Sequence, residues 1–256
     1  AQGTFWRAWV GNSNCCIALV PSMSIKFREE PKGAVDIKNA GVQATRGKRP
    51  LGLVCKDLSK AVFSAEPVRK LAGRGCWFEV RVDTFAGGEM NLMAIGFTAT
   101  DPATFLAADE GSEATPLPGF AGTIPRSYVA GYTDSLYWEE ERLQIESIFK
   151  KVKPAKPFTL AALATMNGGL EIYVNRRLVC SFDPSATGHT SIEIDQPLWA
   201  VLDLSGGCKK ANLLDDSVPP TPEEAAAPEE EDGDGKKAAE EGEDVGGEGE
   251  EAAPEG

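Results

Sequence analysis

The chain has 256 residues, 42% of them hydrophobic, and a formal net charge of −13, enough for one core of up to about 200 residues or for two small ones. Of its 39 acids, 15 lie from Ser217 onward with two of its 26 bases, so the preceding residues carry 24 of each sign and are neutral. A neutral body with an acidic tail lacks the basic face that nucleic acid requires, and no apolar run approaches the roughly 18 residues of a membrane span.

Residues 1–26 hold Phe5, Trp6, Trp9 and the run Cys15–Val20, too apolar for a disordered arm. They read either as a leading strand of the following domain or as the end of an upstream element. Cys15–Val20 is too short, and lacks the basic flank, for a signal peptide. The start at Ala1 without a Met reads as a fragment or a processed product.

From Phe27 the pattern is short strands between turn signals. Val35–Ile37 precedes Asn39-Ala40-Gly41, and Leu51–Val54 precedes Ala61–Phe63. Trp77–Val82 alternates, with Phe78, Val80 and Val82 on one face and Glu79 and Arg81 on the other. Leu92–Phe97 is apolar on both faces apart from Gly96, as a central strand should be. Leu106–Pro118 is polar and acidic in its middle and reads as an inserted surface loop. Ser127–Tyr132 and Leu136–Trp138 bring four aromatics, Tyr128, Tyr132, Tyr137 and Trp138, followed by the solvated stretch Glu139–Arg142.

Phe158–Ala164, Leu170–Val174 and Leu178–Phe182 predict a three-strand meander, joined by Met166–Gly169 and Asn175–Arg177; Asn167-Gly168 is a strong hairpin signal because both residues tolerate positive φ. Leu198–Leu204 alternates, and both sides of Leu198–Val201 are apolar, so the strand is expected to be covered on two sides. Ser205-Gly206-Gly207 then predicts a turn that returns Ala211–Leu214 antiparallel beside it. Trp199, among apolar neighbours, reads as core. Strands recurring about every 8–12 residues, without a helical stripe of useful length, predict an all-β antiparallel sandwich.

After Val218-Pro219-Pro220, residues 221–256 are almost wholly Pro, Glu, Asp, Ala, Gly and Lys. Such a segment cannot bury enough surface to offset its ordering entropy and is expected to be disordered. As a function it reads either as an acidic interaction tail for basic partners or as a solubilising tail or linker. The domain organisation is therefore a leading segment 1–26, a sandwich 27–216 and a disordered tail 217–256.

The six cysteines, Cys15, Cys16, Cys55, Cys76, Cys180 and Cys208, form no C-x-x-C pair, and His189 is the one histidine. The paired ligand spacings of zinc domains are missing, and scattered Cys in strand patterns read as reduced, buried small hydrophobes. This predicts an intracellular, cytoplasmic chain. A Cys–His pair with Cys180 or Cys208 is disfavoured because burial raises a thiol pKa. There is no G-x-S-x-G, Walker loop or H-E-x-x-H. No catalytic, cofactor-binding or metal-binding residue is assigned, no cofactor is expected, and the chain reads as a non-enzyme.

Three segments occur in order: Phe63-Ser64-Ala65-Glu66-Pro67-Val68, Ile95-Gly96-Phe97-Thr98-Ala99-Thr100-Asp101-Pro102, and Leu198–Cys208 as LWAVLDLSGGC. With Ala44-Thr45-Arg46, Leu117-Pro118 and Tyr173-Val174-Asn175, they resemble the neuralized homology repeat, the NHR domain, from about Phe27 to Asp215. The resemblance implies a SPRY-related, lectin-like β-sandwich acting as a protein-interaction module, which in Neuralized resembles a substrate receptor joined to a RING domain. No RING spacing exists in this chain, so ligase activity does not carry over. Glu66 stands where the family more often has a basic residue, and Leu106–Pro116 looks longer than usual.

Aromatics with polar tips are favoured at binding surfaces. Tyr132, Tyr137 and Trp138 are the candidate partner-binding residues, the last two because Asp134-Ser135 and Glu139–Glu141 bracket them. The function expected is recruitment of a protein partner or peptide segment, within a ubiquitin-ligase pathway, with no nucleic acid and no transmembrane segment; the oligomeric state is left open. The alternatives are a carbohydrate- or small-ligand-binding lectin-like sandwich and a structural subunit of a larger assembly.

Overall fold

The computed structural model describes residues 25–28, 35–46, 60–85, 93–106, 118–150, 157–205 and 208–226. The expected strand at Leu51–Val54, the leading segment before residue 25, most of the Leu106–Pro118 loop and the tail from residue 227 lie outside the described residues.

Two antiparallel sheets face each other. The eight-stranded sheet runs β1 (Val35–Lys38), β2 (Gln43–Arg46), β14 (Cys208–Leu213), β5 (Gly75–Phe85), β10 (Phe158–Thr165), β11 (Leu170–Val174) and β12 (Arg177–Phe182), with β4 (Lys70–Leu71) also paired to β5. The six-stranded sheet runs β3 (Ala61–Phe63), β13 (Trp199–Asp203), β6 (Ala94–Thr98), β7 (Ser127–Gly131), β8 (Ser135–Trp138) and β9 (Glu141–Gln144). The chain thus forms the antiparallel sandwich that its strand pattern predicts.

Period-2 alternation builds the core. Phe78, Val80 and Val82 of β5 and Leu160, Ala162 and Ala164 of β10 meet Ile95 and Phe97 of β6 and Ala200 and Leu202 of β13. The Phe78 and Phe97 rings, one from each sheet, meet edge to face at 5.3 Å. Burying each such large side chain contributes about 1.5–3 kcal/mol. Many of the alternate residues are buried as well, though Arg81 is exposed and Thr159 and Trp199 are half-buried. Outside the six-stranded sheet, Phe63, Ala94, Val129 and Val201 lie under Phe105, Ala121 and Ile124. Outside the eight-stranded sheet, Trp77, Ala161, Leu163 and Tyr173 pack with Leu71 and Ala225. Strands apolar on both faces follow from these two outer covers.

The three family-like segments are neighbours in space. Val201 of β13 stands opposite Phe63 of β3 on one side and Gly96 of β6 on the other. Ser64 N–H donates to Ala200 O at 3.0 Å, its Oγ accepts from Ala200 N–H at 3.0 Å, and Val68 N–H reaches Leu198 O at 2.7 Å. At Gly96 a Cβ would lie 1.9 Å from Tyr128 O and 2.7 Å from Val129 Cα, the close backbone approach that a glycine inside a strand signals.

Several expectations need correction. Ala211–Leu214 does not return beside Leu198–Leu204: β13 pairs with β3 and β6, while β14 pairs with β2 and β5 in the other sheet. The two strands thus belong to different sheets, β13 ending at Asp203 and β14 starting at Cys208. Trp199 is half-buried rather than core. In the β10–β11 hairpin only Gly168, at φ +74°, takes the left-handed region, and Asn167 does not. The two-residue turns with both residues at positive φ are instead Glu139-Glu140 and Asn175-Arg176, and Tyr132-Thr133 takes positive φ within a three-residue loop.

Ser217–Ala226, expected as the start of the tail, packs on the eight-stranded sheet. Trp77 Nε1 donates to Ser217 Oγ at 2.9 Å, Arg176 Nη2 to Val218 O at 3.0 Å, and Arg74 Nη2 to Pro219 O and Pro220 O at 3.0 and 2.6 Å. The segment ends in the short helix α1 (Pro222–Ala226), capped by Thr221: Thr221 N–H donates to Glu224 Oε2 and Glu224 N–H to Thr221 Oγ1, a reciprocal capping box. Local composition favoured disorder here; buried contacts to distant residues overrode it.

Candidate functional site

On the outer face of the six-stranded sheet, β8 presents alternate residues to opposite sides. Leu136 and Trp138 face the core, and Tyr137 faces outward. Trp138 is 1% exposed. Its ring packs against Tyr128 and Phe182 at 4.8 and 4.7 Å, and Nε1 donates to Thr190 O at 2.8 Å. It links the two sheets and is not a surface residue, which corrects its assignment as a partner-binding candidate. Bracketing by solvent-facing residues was misleading, since a period of two places neighbours on opposite faces. Tyr128 likewise belongs to the core, its hydroxyl donating to Glu139 Oε1 at 3.1 Å.

Tyr132 and Tyr137 do come together. Their rings meet at 5.7 Å, and Phe120 completes a triangle, 5.5 Å from Tyr132 and 5.8 Å from Tyr137, all edge to face. Phe120 is 37% exposed and both tyrosines are half-buried. The Tyr137 ring lies over Gly122, where a Cβ would come within 2.5–2.7 Å of ring carbons. Arg142 of β9 stands opposite Tyr137 and so projects on the same face. Its Nε donates to Ser135 Oγ at 2.9 Å, and its guanidinium lies 3.7 Å from Asp134.

Asp203, the acid within LWAVLDLSGGC, anchors the triangle from below. It is fully buried. Oδ2 accepts from Tyr132 Oη at 2.5 Å and Ala121 N–H at 3.1 Å, and Oδ1 from Ser205 N–H at 2.9 Å and Ser205 Oγ at 2.5 Å. Burial, and then the charge of Asp203, push the Tyr132 phenol well above its usual pKa, so it stays a donor. Tyr132 also sits at φ +48°, a strained conformation for a bulky residue. The result is a rigid aromatic surface with a cation at its rim, suited to an apolar or aromatic contact.

The sequence reading missed Phe120, Arg142 and Asp203. A lone carboxylate in an apolar strand was the available signal for Asp203; Phe120 and Arg142 had none, since only tertiary pairing brings them to Tyr137. Elsewhere, burial raises the Cys180 and Cys208 thiols to about 11 and about 12. The His189 ring engages Thr187 Oγ1 at 2.8 Å and Glu141 at 3.5 Å. Among the described residues, no cluster of His, Cys, Asp and Glu is placed to hold a metal ion, and no helix is long and apolar enough to cross a membrane.

The Neuralized family profile matches residues 33–215. No curated protein matches the chain in sequence. The structure is similar to the crystal structure of the Drosophila melanogaster neuralized-NHR1 domain, with a TM-score of 0.51 and 19% identity over 75% of this chain and 98% of that one. It is also similar to the solution structure of the NEUZ (NHR) domain in Neuralized from Drosophila melanogaster, at TM-score 0.50 and 19% identity, over 76% and 94% of the two chains.

Proposed function

The chain belongs to the Neuralized family, whose domains are generally protein-interaction modules, and on that premise we propose that it recruits a protein partner through the Phe120, Tyr132 and Tyr137 triangle. The observation that carries this reading is three aromatic rings packed edge to face at a half-exposed surface, one of them fixed by a buried carboxylate. Aromatic anchors with little freedom left to lose are the usual centre of a protein contact. Arg142 at the rim favours a segment that carries an acid beside its apolar anchor. The role is that of an adaptor or substrate receptor that brings the bound protein to a ubiquitin ligase supplied by another domain or chain. Cys76, Cys180 and Cys208 are unpaired thiols, in keeping with an intracellular setting.

The test compares the full chain with a Phe120→Ala/Tyr137→Ala variant of matched thermal stability. The bound protein is expected to lose at least ten-fold in affinity, and its chain-dependent ubiquitylation by a RING ligase is expected to fall with it. Sugar binding on a glycan array that is lost in the double variant, with no protein partner bound by the wild type, would instead identify a lectin-like sandwich.

A further inference from the structure

The opposite sheet carries a second surface. Its outer face offers donors to the segment above it: the Trp77 indole N–H and the guanidinium groups of Arg74 and Arg176. The segment lying on it offers acceptors. Three successive carbonyls, of Val218, Pro219 and Pro220, accept from the two arginines, and Ser217 Oγ accepts from Trp77. Pro219 and Pro220 are both buried, and proline brings no N–H that such a face would leave unpaired. A donor face with Trp77 and Tyr173 packed edge to face at 5.3 Å is therefore matched to an extended proline-rich strand, whose stiffness leaves little entropy to lose on binding.

Apart from the Ser217 hydroxyl, the contacts read carbonyls and rings, so another chain with a hydroxyl at that place and the same spacing would make them too. The resident segment also underfills its site. A cavity of about 510 Å³ remains, lined by Leu163, Met166, Tyr173 and Leu178 on the sheet side and by Pro220 and Ala225 on the other. Met166 and Leu178 are left 43% and 42% exposed within it. The geometry points to this face as a binding groove for extended proline-rich protein segments, with Ser217–Pro222 as its built-in occupant. Because Ser217 follows closely on the end of β14 at Leu213, tethering holds the occupant at high local concentration. The groove opens to other segments only when this one leaves.

The Trp77 indole N–H reports occupancy directly. In the full chain labelled with ¹⁵N, a Pro219→Gly/Pro220→Gly variant is expected to shift the indole signal, identified by its loss in Trp77→Phe. Titration with a synthetic peptide of residues 217–226 should return it to the wild-type position, at least ten-fold more tightly than the same peptide binds wild type. The peptide with both central prolines changed to Ala should bind at least ten-fold more weakly. If the glycine pair unfolds the chain, Pro220→Ala with excess peptide makes the same comparison. A displaced indole that the peptide fails to move, in a chain still folded by its methyl signals, overturns the groove and leaves the segment a structural brace. Equal binding of the peptide that lacks the two central prolines overturns the assigned ligand class.

Discussion

At Asp203 four donors converge on one carboxylate, and the two side-chain donors, Tyr132 and Ser205, can each be tested by removal. Hydrogen bonds to a charged group contribute about 1.5–3 kcal/mol, so Tyr132→Phe is expected to lower unfolding stability by about that much at pH 7, measured by urea denaturation. The pH dependence has a definite sign. Burial and the neighbouring carboxylate raise the folded phenol above its unfolded value of about 10. Its contribution is complete below about pH 10 and is lost as pH rises through the folded pKa, because the unfolded chain alone can ionise. The gap between wild type and Tyr132→Phe should therefore be constant from pH 6 to 9 and narrow above about 10. A gap that stays constant to pH 11 would show that the Tyr132–Asp203 contact is not the one lost.

Among the elements, the hairpins β8–β9 and β11–β12 share one device, a two-residue turn with both residues at positive φ, and the three-residue loop of β7–β8 holds Tyr132-Thr133 in the same region. This turn matches the twist of the flanking strands, yet none of the three contains a glycine. Tyr132, Glu139 and Arg176 each make a contact that glycine could not replace. Tyr132 bonds to Asp203, Glu139 accepts from Tyr128, and Arg176 pairs with Glu79 at 3.1 Å. Glu140, at φ +74° and exposed, has no such contact among its described interactions. Glu140→Gly is expected to stabilise the fold by about 1 kcal/mol through relief of left-handed strain, seen as a higher urea midpoint at unchanged slope. Strand existence was legible from alternation in β5 and from apolar runs between turn signals in β6 and β10–β12. Of these turns only the one at Asn175-Arg176 was, because tertiary contacts select Tyr132 and Glu139 against local preference.

Across the whole molecule, the sandwich depends on covers outside both sheets as well as on the core between them. The crossing from β13 to β14 joins the two sheets, and Cys208 at its far end is fully buried, with its thiol raised to about 12 by burial. In a chain whose other five cysteines are Ser, Cys208 should react with a thiol reagent only at the rate of global unfolding, followed by mass spectrometry against urea concentration. Labelling that is independent of urea at low concentration would show local opening of β14 from β2 and β5.

The sequence alone determined what depends on local pattern: a neutral body and an acidic tail, strands from alternation, the Gly96 close approach, and the family from three segments in order. Tyr132 and Tyr137 were legible as a candidate pair by residue type. Tertiary structure alone decided which strands became neighbours. It sent β14 to the far sheet, turned Trp138 inward, brought Phe120 and Arg142 to Tyr137, and laid Ser217–Ala226 on Trp77. Alternation states that a strand has two faces, but the face that becomes core and the edge that becomes paired are set by the free energy of contacts between distant residues. The same composition that argued for disorder after Ser217 yielded order where two arginines and a tryptophan met two prolines.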